Sequence, residues 1–346
     1  MSTVIAEVTR GELVESQHHG IVVVANCAGQ VIASAGDPES MTFFRSSAKP
    51  FQAVPLVESG AVDRFGFSPA ELALCCSSHD AAPWQQQAVE AMLGRIGLGT
   101  GALRCGSAPP YDEEEAARVL LRLVPTTPLQ SDCSGKHTGM LATCLHLGYP
   151  IESYLDIDHP LQQSILAVMA SVLRMDPDAI AVAADGCSVP TFGAPVRNFA
   201  TAYATLARPE SAPPEGGQQF GPALDRIRTA MASHPQHIGG PKNLDTNLMD
   251  VTHGRIVAKL GAEGLICLAV PEEGLGIAVS VLDGSPRARA TVVLATLEQL
   301  DLLRSQEIDD LRRHQSDALA LTNFNGWHVG DIRAAFTLAS PSSAPA

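Results

Sequence analysis

Lysine is scarce in this sequence of 346 residues. Of the 23 basic residues, 19 are arginine and only four are lysine. Lysine differs from arginine because it can lose its proton inside a protein and then act as a base or a ligand. Three of the four lie among small residues, namely Lys49, Lys136 and Lys259. They are either survivors of a general bias toward arginine or residues kept for their chemistry.

Charge is also limited, and acidic residues outnumber basic ones by 37 to 23. Charged residues make up 17% of the chain, and the net charge is −14. Nucleic acids and anionic membranes bind clustered Lys and Arg, so we expect neither as a partner and favour a small-molecule substrate. No stretch reaches the roughly 18 apolar residues of a membrane span. Residues 1–10 lack the basic start and apolar run of a secretory signal, which predicts a cytoplasmic location.

The chain shows no internal repeat and no disulfide framework. Its eight cysteines are irregularly spaced, as in reduced intracellular proteins. Hydrophobic residues make up 45%, enough for the core of one large unit or two packed subdomains. We predict one catalytic unit over residues 1–338 and a disordered Ser/Pro/Ala tail over 339–346.

Predicted strands cluster at both ends of the sequence, and predicted helices fill the middle. The strands include residues 21–25, 31–34, 255–259, 264–269 and 276–282, and a buried strand is expected over 180–184. The helices include residues 46–59, 68–75, 83–95, 160–174 and 287–304. This order predicts an α+β fold in which an antiparallel sheet is flanked by helices and carries a helical subdomain.

Ser46 and Lys49 stand three residues apart at a predicted helix start. Residues at this spacing share one face of a helix, so the amine can reach the hydroxyl. A serine hydroxyl becomes a good nucleophile when a base takes its proton, and a desolvated lysine can be that base. Alone the pattern is weak, because a capping serine followed by an exposed lysine has the same spacing.

Two further elements accompany such pairs in serine acyl-transfer enzymes. They are a second polar triplet after a helix and a lysine on a strand before a glycine. In this chain Ser77-Ser78-His79 and Lys259-Leu260-Gly261 occur in that order. Each is a degenerate copy, and together they favour a serine hydrolase.

The motifs taken together resemble the asparaginase II family, whose fold looks like serine β-lactamases and glutaminases. The resemblance spans about residues 15–335, and its motifs are Arg45 to Pro50, Ser77 to His79, Leu103 to Gly106, Cys133 to Met140, Asp158 to Gln162 and Asp185 to Pro190. It implies hydrolysis of the side-chain amide of L-asparagine and a homodimer.

The resemblance also implies a role for individual residues. Ser46 would be the nucleophile and Lys49 its base, with Ser78 and Lys259 as a second Ser–Lys pair. The implied zinc ligands are Cys133, Lys136 and Cys187. The implied substrate-orienting residues are Arg45, His137 and Asp185.

Two points stay open in this assignment. The spacing of Cys133 and Cys187 is unlike that of a zinc finger, so two buried thiols without a metal are the alternative. After His79 the chain reads Asp80-Ala81-Ala82-Pro83, whereas family members tend to carry an acidic residue two or three places further on. How the amine of the substrate is held is therefore undecided.

The expected mechanism is attack of Ser46 on the carboxamide of asparagine with neutral Lys49 as base, so activity should rise toward alkaline pH. The oxyanion would be stabilised by backbone N–H groups. A penicillin-recognising serine hydrolase is one alternative. A zinc-binding or amino-acid-binding protein without catalysis is another.

Overall fold

The strands of this chain come mostly from its two ends, and most helices come from the middle. This is what the computed structural model describes over residues 3–213 and 220–340. Two compact units result. Unit 1 comprises Met1–Ser47, Ala194–Arg208 and Asn247–Ala346, and unit 2 comprises Ala48–Gly193 and Pro209–Thr246. The α+β class expected from the sequence is confirmed.

Strands and helices are numbered in chain order. The strands are β1 (Thr3–Arg10), β2 (Leu13–Asn26), β3 (Val31–Ala35), β4 (Met41–Phe43), β5 (Ala181–Ala184), β6 (Pro190–Pro195), β7 (Val257–Leu260), β8 (Leu265–Val270), β9 (Leu275–Val281), β10 (Ala320–Thr322) and β11 (His328–Ala334). The helices are α1 (Lys49–Gln52), α2 (Val54–Glu58), α3 (Ala61–Arg64), α4 (Pro69–Cys75), α5 (Pro83–Arg95), α6 (Glu113–Leu120), α7 (Ser134–Leu147), α8 (Pro160–Leu173), α9 (Val196–Ala207), α10 (Gly221–Ser233), α11 (Leu244–Val251), α12 (Arg289–Gln299), α13 (Ser305–His314) and α14 (Ser316–Leu319).

The sheet of unit 1 is antiparallel. Among the described residues its order is β10-β11-β1-β2-β9-β8-β7, with β3 beside β2. Strand β8 is buried along its whole length, as a central strand covered on both faces should be. Strand β7 pairs with β8 so that Lys259 lies opposite Cys267. The sheet thereby fixes one of the four lysines in a buried position.

Helix α9 approaches the sheet of unit 1 very closely at Gly276 in β9. A Cβ at this position would lie 1.9 Å from the carbonyl oxygen of Ala200 and 2.2 Å from the amide nitrogen of Ala204. Only glycine permits such an approach between backbones. The close approach brings Tyr203 of α9 into the buried part of unit 1.

Unit 2 is mainly helical, and its helices α4 and α7 are packed through small residues. Helix α4 begins with the capping box that the sequence predicts, because Ser68 and Glu71 each accept a hydrogen bond from the backbone N–H of the other. On α7, a Cβ at Gly135 would lie 2.3 Å from the carbonyl oxygen of Leu74. The C-terminal end of α4 therefore lies against the first turns of α7.

Several predicted elements differ from the observed ones. The helix expected over 46–59 is a 3-10 turn, Arg45–Ala48, followed by the short helices α1 and α2, because Pro50 and Pro55 lack the N–H that a continuous helix needs. Strand β5 was expected to be buried, but all four of its residues are exposed, since a short apolar run does not distinguish an edge from a core. The long helix expected over 287–304 ends at Gln299.

The predicted tail begins within the described residues. Ala339 exchanges two backbone hydrogen bonds of 2.9 Å with Ser34, and residues 341–346 lie outside the described part of the chain. Among the described residues, no helix combines the length and apolarity needed to cross a membrane.

The close approach at Gly276 gives a stability prediction. Gly276→Ala should lower the free energy of unfolding by about 3 kcal/mol, because backbone atoms of α9 cannot move aside as a side chain can. Urea unfolding followed by circular dichroism measures this. Gly94→Ala in α5, where a Cβ meets nothing within 4 Å, is the matched control and should be neutral or stabilising. Equal stability of the two variants would show that the contact is not as close as described.

Candidate active site

Ser46 lies in a turn that is anchored on both sides within unit 1. Phe44 is buried and stacks on Phe199 with 4.2 Å between the ring centroids. Arg45 adopts a positive φ of 48°, a conformation that is uncommon for residues with a side chain. Such strain is found most often at functional sites. The Ser46 side chain itself is half-buried.

Ser47 connects this turn to the strand that carries Lys259. Its Oγ donates to the carbonyl oxygen of Lys259 at 2.9 Å, and its own carbonyl oxygen accepts from the Tyr203 hydroxyl at 2.9 Å. The Lys259 side chain is fully buried, and its Nζ donates to the carbonyl oxygen of Leu260 at 3.0 Å. Unit 1 thus brings the turn of Ser46 and the residue Lys259 together.

Arg45 forms a long ion pair in unit 1. Its Nη1 lies 3.9 Å from Oε1 of Glu263, and that glutamate is 72% exposed. Exposed pairs of this kind contribute little to stability. This ion pair alone therefore does not explain why an arginine stands at position 45.

In unit 2, the residues after α4 lie next to the buried amine of Lys49. The amide N–H of Ser78 donates to the carbonyl oxygen of Ile238 at 2.9 Å, and that of His79 donates to the carbonyl oxygen of Asp132 at 3.2 Å. The first bond fixes Ser78, and the second joins His79 to the residue before the Cys133 motif. They hold the Ser78 hydroxyl and the Asp132 backbone side by side.

The amine of Lys49 points into this cluster and is fully buried. Its Nζ donates to the carbonyl oxygen of Ser77 at 2.6 Å and to Oγ of Ser78 at 2.8 Å, and it lies 3.5 Å from Oδ2 of Asp132. Burial alone would lower the pKa of Lys49. The charge of Asp132 is the largest opposing effect, and with the thiol group nearby it outweighs burial and raises this pKa above its ordinary value. Lys49 is therefore an ammonium at rest.

His79 fastens the same segment to the start of α7. Its Nδ1 accepts from the amide N–H of Ala81 at 3.0 Å, so the proton of the neutral ring is on Nε2, which donates to Oγ of Ser134 at 2.8 Å. Burial lowers the pKa of His79 to about 4. The imidazole is thus neutral at physiological pH and links the segment after α4 to Ser134 by a hydrogen bond.

The thiols of Cys133 and Cys187 and the amine of Lys136 form a second group in unit 2. Lys136 Nζ lies 3.1 Å from Sγ of Cys187, and the thiols of Cys133 and Cys187 are hydrogen-bonded. That bond, and then the charge of Lys136, holds the pKa of Cys187 far below its usual range. The same bond, together with burial, raises the pKa of Cys133. Cys187 is the thiolate of the group.

His137 and Tyr154 complete this group. His137 Nδ1 and the Tyr154 hydroxyl are 2.7 Å apart, while Nε2 of His137 is buried without a hydrogen-bond partner. Burial lowers the pKa of His137, and the nearby Cys187 opposes this effect. The buried imidazole therefore lies next to the thiols with one nitrogen unpaired.

The residues predicted to bind zinc fit that metal under one condition. Among the described residues, no group of three or more His, Cys, Asp or Glu side chains is arranged to hold a metal ion. The set of Cys133, Lys136 and Cys187 contains only two residues of those types. Zinc at this set stays a prediction, and it requires Lys136 to bind as the neutral amine, since a ligand must give up its proton.

Asp185 shapes the turn that presents Cys187. Its Oδ1 accepts from the amide N–H of Gly186 at 2.8 Å, and its carbonyl oxygen accepts from that of Ser188 at 2.8 Å. Ser188 has a positive φ of 73°. The turn buries the Cys187 side chain while its two neighbours stay exposed.

The predicted residues thus form a group within each unit. Arg45, Ser46 and Lys259 belong to unit 1, and Lys49, Ser78, Cys133, Lys136, His137, Asp185 and Cys187 belong to unit 2. The contact of Lys49 with Ser78 was not among the pairs expected from the sequence. The pairing of Ser46 with Lys49 and that of Ser78 with Lys259 stay predictions.

Sequence reasoning did not single out Asp132 or Tyr154. Asp132 directly precedes the Cys133 motif, and this adjacency is the only signal that could have drawn attention to it. Tyr154 lies in an irregular segment between α7 and α8, and only the folded chain brings its hydroxyl to His137. An aspartate or a tyrosine in such positions is common in loops with no role in a site.

The chain was compared with known proteins. A family model described as L-asparaginase II matches residues 6–334. No curated protein matches the chain.

Solved structures give distant matches. The structure of Mglu in its native form in the presence of 4.3 M NaCl is 18% identical, with a TM-score of 0.38 over 82% of this chain and 61% of that one. Mglu in its tris and glutamate form is 16% identical, with a TM-score of 0.37 over 87% of this chain and 64% of that one. A beta-lactamase from Mycobacterium bovis is 13% identical, with a TM-score of 0.36 over 86% of this chain and 94% of that one. The chain thus spans less than two thirds of the length of these Mglu structures.

The neutral state of buried His79 predicts a pH dependence of stability. In the unfolded chain a histidine titrates near pH 6.5, whereas in the folded chain the pKa is about 4. As the pH falls from about 6.5 toward about 4, the unfolded state takes up a proton that the folded state refuses, so stability is lost. His79→Asn should remove roughly 2 kcal/mol of the loss between about pH 7.5 and pH 5.

Urea unfolding at the two pH values measures the effect. His314→Asn, at an exposed position of α13, is the control and should keep the acid sensitivity of the wild type. If His79→Asn and the wild type lose the same stability on acidification, His79 is not held neutral by the fold.

Proposed function

The chain belongs to the L-asparaginase II family, and we propose that it hydrolyses the side-chain amide of L-asparagine to L-aspartate and ammonia. The observation that carries the proposal is the buried amine of Lys49 in hydrogen-bond contact with a serine hydroxyl, that of Ser78. A lysine in such a position can carry protons between hydroxyl groups, which is the requirement of Ser–Lys amidohydrolysis.

The first half of the proposed reaction forms an acyl-enzyme on Ser46. Lys49, as the neutral amine, takes the proton of the Ser46 hydroxyl while Oγ attacks the carboxamide carbon. Backbone N–H groups hold the charge of the tetrahedral intermediate. The proton then passes from Lys49 through the Ser78 hydroxyl to the nitrogen, and ammonia leaves. Lys49 is neutral again, and Ser46 carries an aspartyl ester.

The second half runs in reverse order with water as the nucleophile. Water gives a proton to Lys49 and its oxygen attacks the ester carbonyl, and the returning proton restores the Ser46 hydroxyl as aspartate leaves. Because the pKa of Lys49 is raised, little of the neutral amine is present near pH 7. The rate should therefore increase with pH as long as another group does not limit it.

Lys259 and the substrate-binding residues are assigned from the family resemblance. The hydrogen bond from Ser47 to the Lys259 carbonyl supports a position of this lysine beside the nucleophile turn. We assign Arg45, His137 and Asp185 to orienting the substrate, and a homodimer remains a prediction. Glutamine differs by one methylene, which a pocket discriminates by only about 1–3 kcal/mol.

Zinc is proposed as a bound ion held by Cys133, Lys136 and Cys187. When bound, it would keep both sulfurs as thiolates and the amine neutral. The proton transfers above are carried by Lys49 and Ser78 and do not need it. Its expected contribution is to rigidify the wall formed by α7 and the turn at Asp185.

A Lys→Arg series tests the proposed chemistry. Arginine keeps the positive charge but does not release its proton in a protein. Lys49→Arg and Lys259→Arg should therefore lower kcat for ammonia release from asparagine by about 100-fold or more. Lys242→Arg, at an exposed residue paired with Glu113, is the matched control and should keep full activity.

Glutamine and nitrocefin serve as comparison substrates in the same assay. Turnover of nitrocefin without ammonia release from asparagine would favour the penicillin-recognising alternative. Asparagine hydrolysis retained in Lys49→Arg would exclude this lysine as the base.

Metal content tests the proposed zinc ion. Purified protein should contain about one zinc per chain, and Cys133→Ser or Cys187→Ser should lose it. Cys144→Ser, at a buried thiol of α7 outside the group, should retain it. Chelation should lower the melting temperature measurably while part of the activity remains. A wild-type chain that binds no zinc from solution would contradict the assignment.

A further inference from the structure

The proposed substrate poses a recognition problem, because asparagine brings an α-ammonium group into a site whose centre already contains the positive charge of Lys49. A buried cation needs an anionic or hydrogen-bonding partner. An enzyme that selects amino acids should therefore offer a carboxylate next to the reacting groups.

We propose that Asp132 is this carboxylate and binds the α-ammonium of the amino-acid substrate, an inference that rests on the proposed function. Its backbone is fixed next to the segment of Ser78, because its carbonyl oxygen accepts the amide N–H of His79 at 3.2 Å. Its Oδ2 lies 3.5 Å from Nζ of Lys49. The carboxylate thus belongs to the same cluster as the Ser78 hydroxyl.

The order of contacts around Lys49 puts Asp132 on the solvent side. The nearer acceptors of the amine are the Ser77 carbonyl at 2.6 Å and the Ser78 hydroxyl at 2.8 Å. The side chain of Lys49 is 0% exposed, whereas that of Asp132 is 25% exposed. A molecule that enters from solvent therefore meets the carboxylate before it meets the amine. A carboxylate has about four acceptor positions, so a single carboxylate can contact two cations.

Asp80, the acidic residue nearest in sequence to Ser78, is occupied by contacts with neighbouring residues of the fold. Its Oδ1 accepts from Nδ2 of Asn243 at 2.8 Å. Its Oδ2 faces Gly240 so closely that a Cβ there would lie 1.7 Å away. Only 9% of Asp80 is exposed. This carboxylate is enclosed by its own neighbours and is not accessible to a ligand.

Tyr111 provides a second feature suited to an ammonium. The ring is 70% exposed, and the next residue, Asp112, is tied to the segment after Ser78 by a hydrogen bond of 2.8 Å from its N–H to the Asp80 carbonyl. Burial, and then the charge of Asp132, raise the pKa of the Tyr111 phenol. An exposed aromatic face can bind a cation.

The consequence is a specificity that depends on the α-amino group. Succinamate is asparagine without that group and carries the same carboxamide and carboxylate. If Asp132 binds the ammonium, the wild type should prefer asparagine to succinamate, and the preference should depend on the charge of residue 132. A residue that acts only by positioning Lys49 would affect both substrates equally.

The test compares kcat/KM for asparagine and succinamate in the wild type, Asp132→Asn and Asp132→Glu. Asp132→Asn should lower the ratio of kcat/KM for asparagine to kcat/KM for succinamate by about 10- to 100-fold, because any effect through Lys49 acts on both substrates alike. Asp132→Glu, which keeps the charge, should recover part of the preference. Asp225→Asn, an exposed partner of Arg228 in α10, is the matched control and should match the wild type on both substrates. Melting temperatures show whether each variant folds.

A ratio that is unchanged in Asp132→Asn, whether both rates fall, rise or stay the same, would overturn the proposal. A wild type that releases ammonia from neither substrate would instead defeat the proposed function. The role of Asp132 would then be decided by calorimetry in a Ser46→Ala background, where asparagine should bind more tightly than succinamate and Asp132→Asn should abolish the difference. Equal binding of the two ligands before that substitution would also overturn the proposal.

Discussion

The buried amine of Lys49 is the constraint on which the architecture of unit 2 depends. A charged group removed from water is costly unless hydrogen bonds and an opposite charge replace its hydration. In this chain the replacement consists of a backbone carbonyl, the Ser78 hydroxyl and the Asp132 carboxylate. Each of these groups must be held in place by the surrounding chain, or the lysine would be destabilising.

The holding structure is a set of short connections between helices α4 and α7. Gly135 allows α7 to lie directly against the end of α4, and neutral His79 fastens the segment after α4 to Ser134 at the start of α7. The same first turn of α7 carries Lys136 within reach of Cys187. The contacts of Lys49 and the pair of Lys136 with Cys187 thus depend on the same first turn of α7. A substitution that displaces this turn should disturb both.

The sequence predicts the local features of this arrangement and misses those that depend on tertiary contact. The capping box at Ser68 follows from residue types at fixed spacing, because it is encoded within one helical turn. The contact between Lys49 and Ser78 joins residues 29 positions apart. No periodic pattern in the sequence encodes this contact. The sequence misses the exposure of β5 for the same reason, since a four-residue apolar run does not show which elements will pack against it.

In the proposed reaction, Lys49 serves the hydroxyl of Ser46 as nucleophile and that of Ser78 as proton carrier. Acid quenching during asparagine turnover, followed by peptide mapping in a mass spectrometer, identifies which hydroxyl carries the aspartyl group. We expect the adduct on the peptide that contains Ser46. An adduct on Ser78, the hydroxyl that contacts Lys49 at rest, would contradict this assignment and would reverse the two roles.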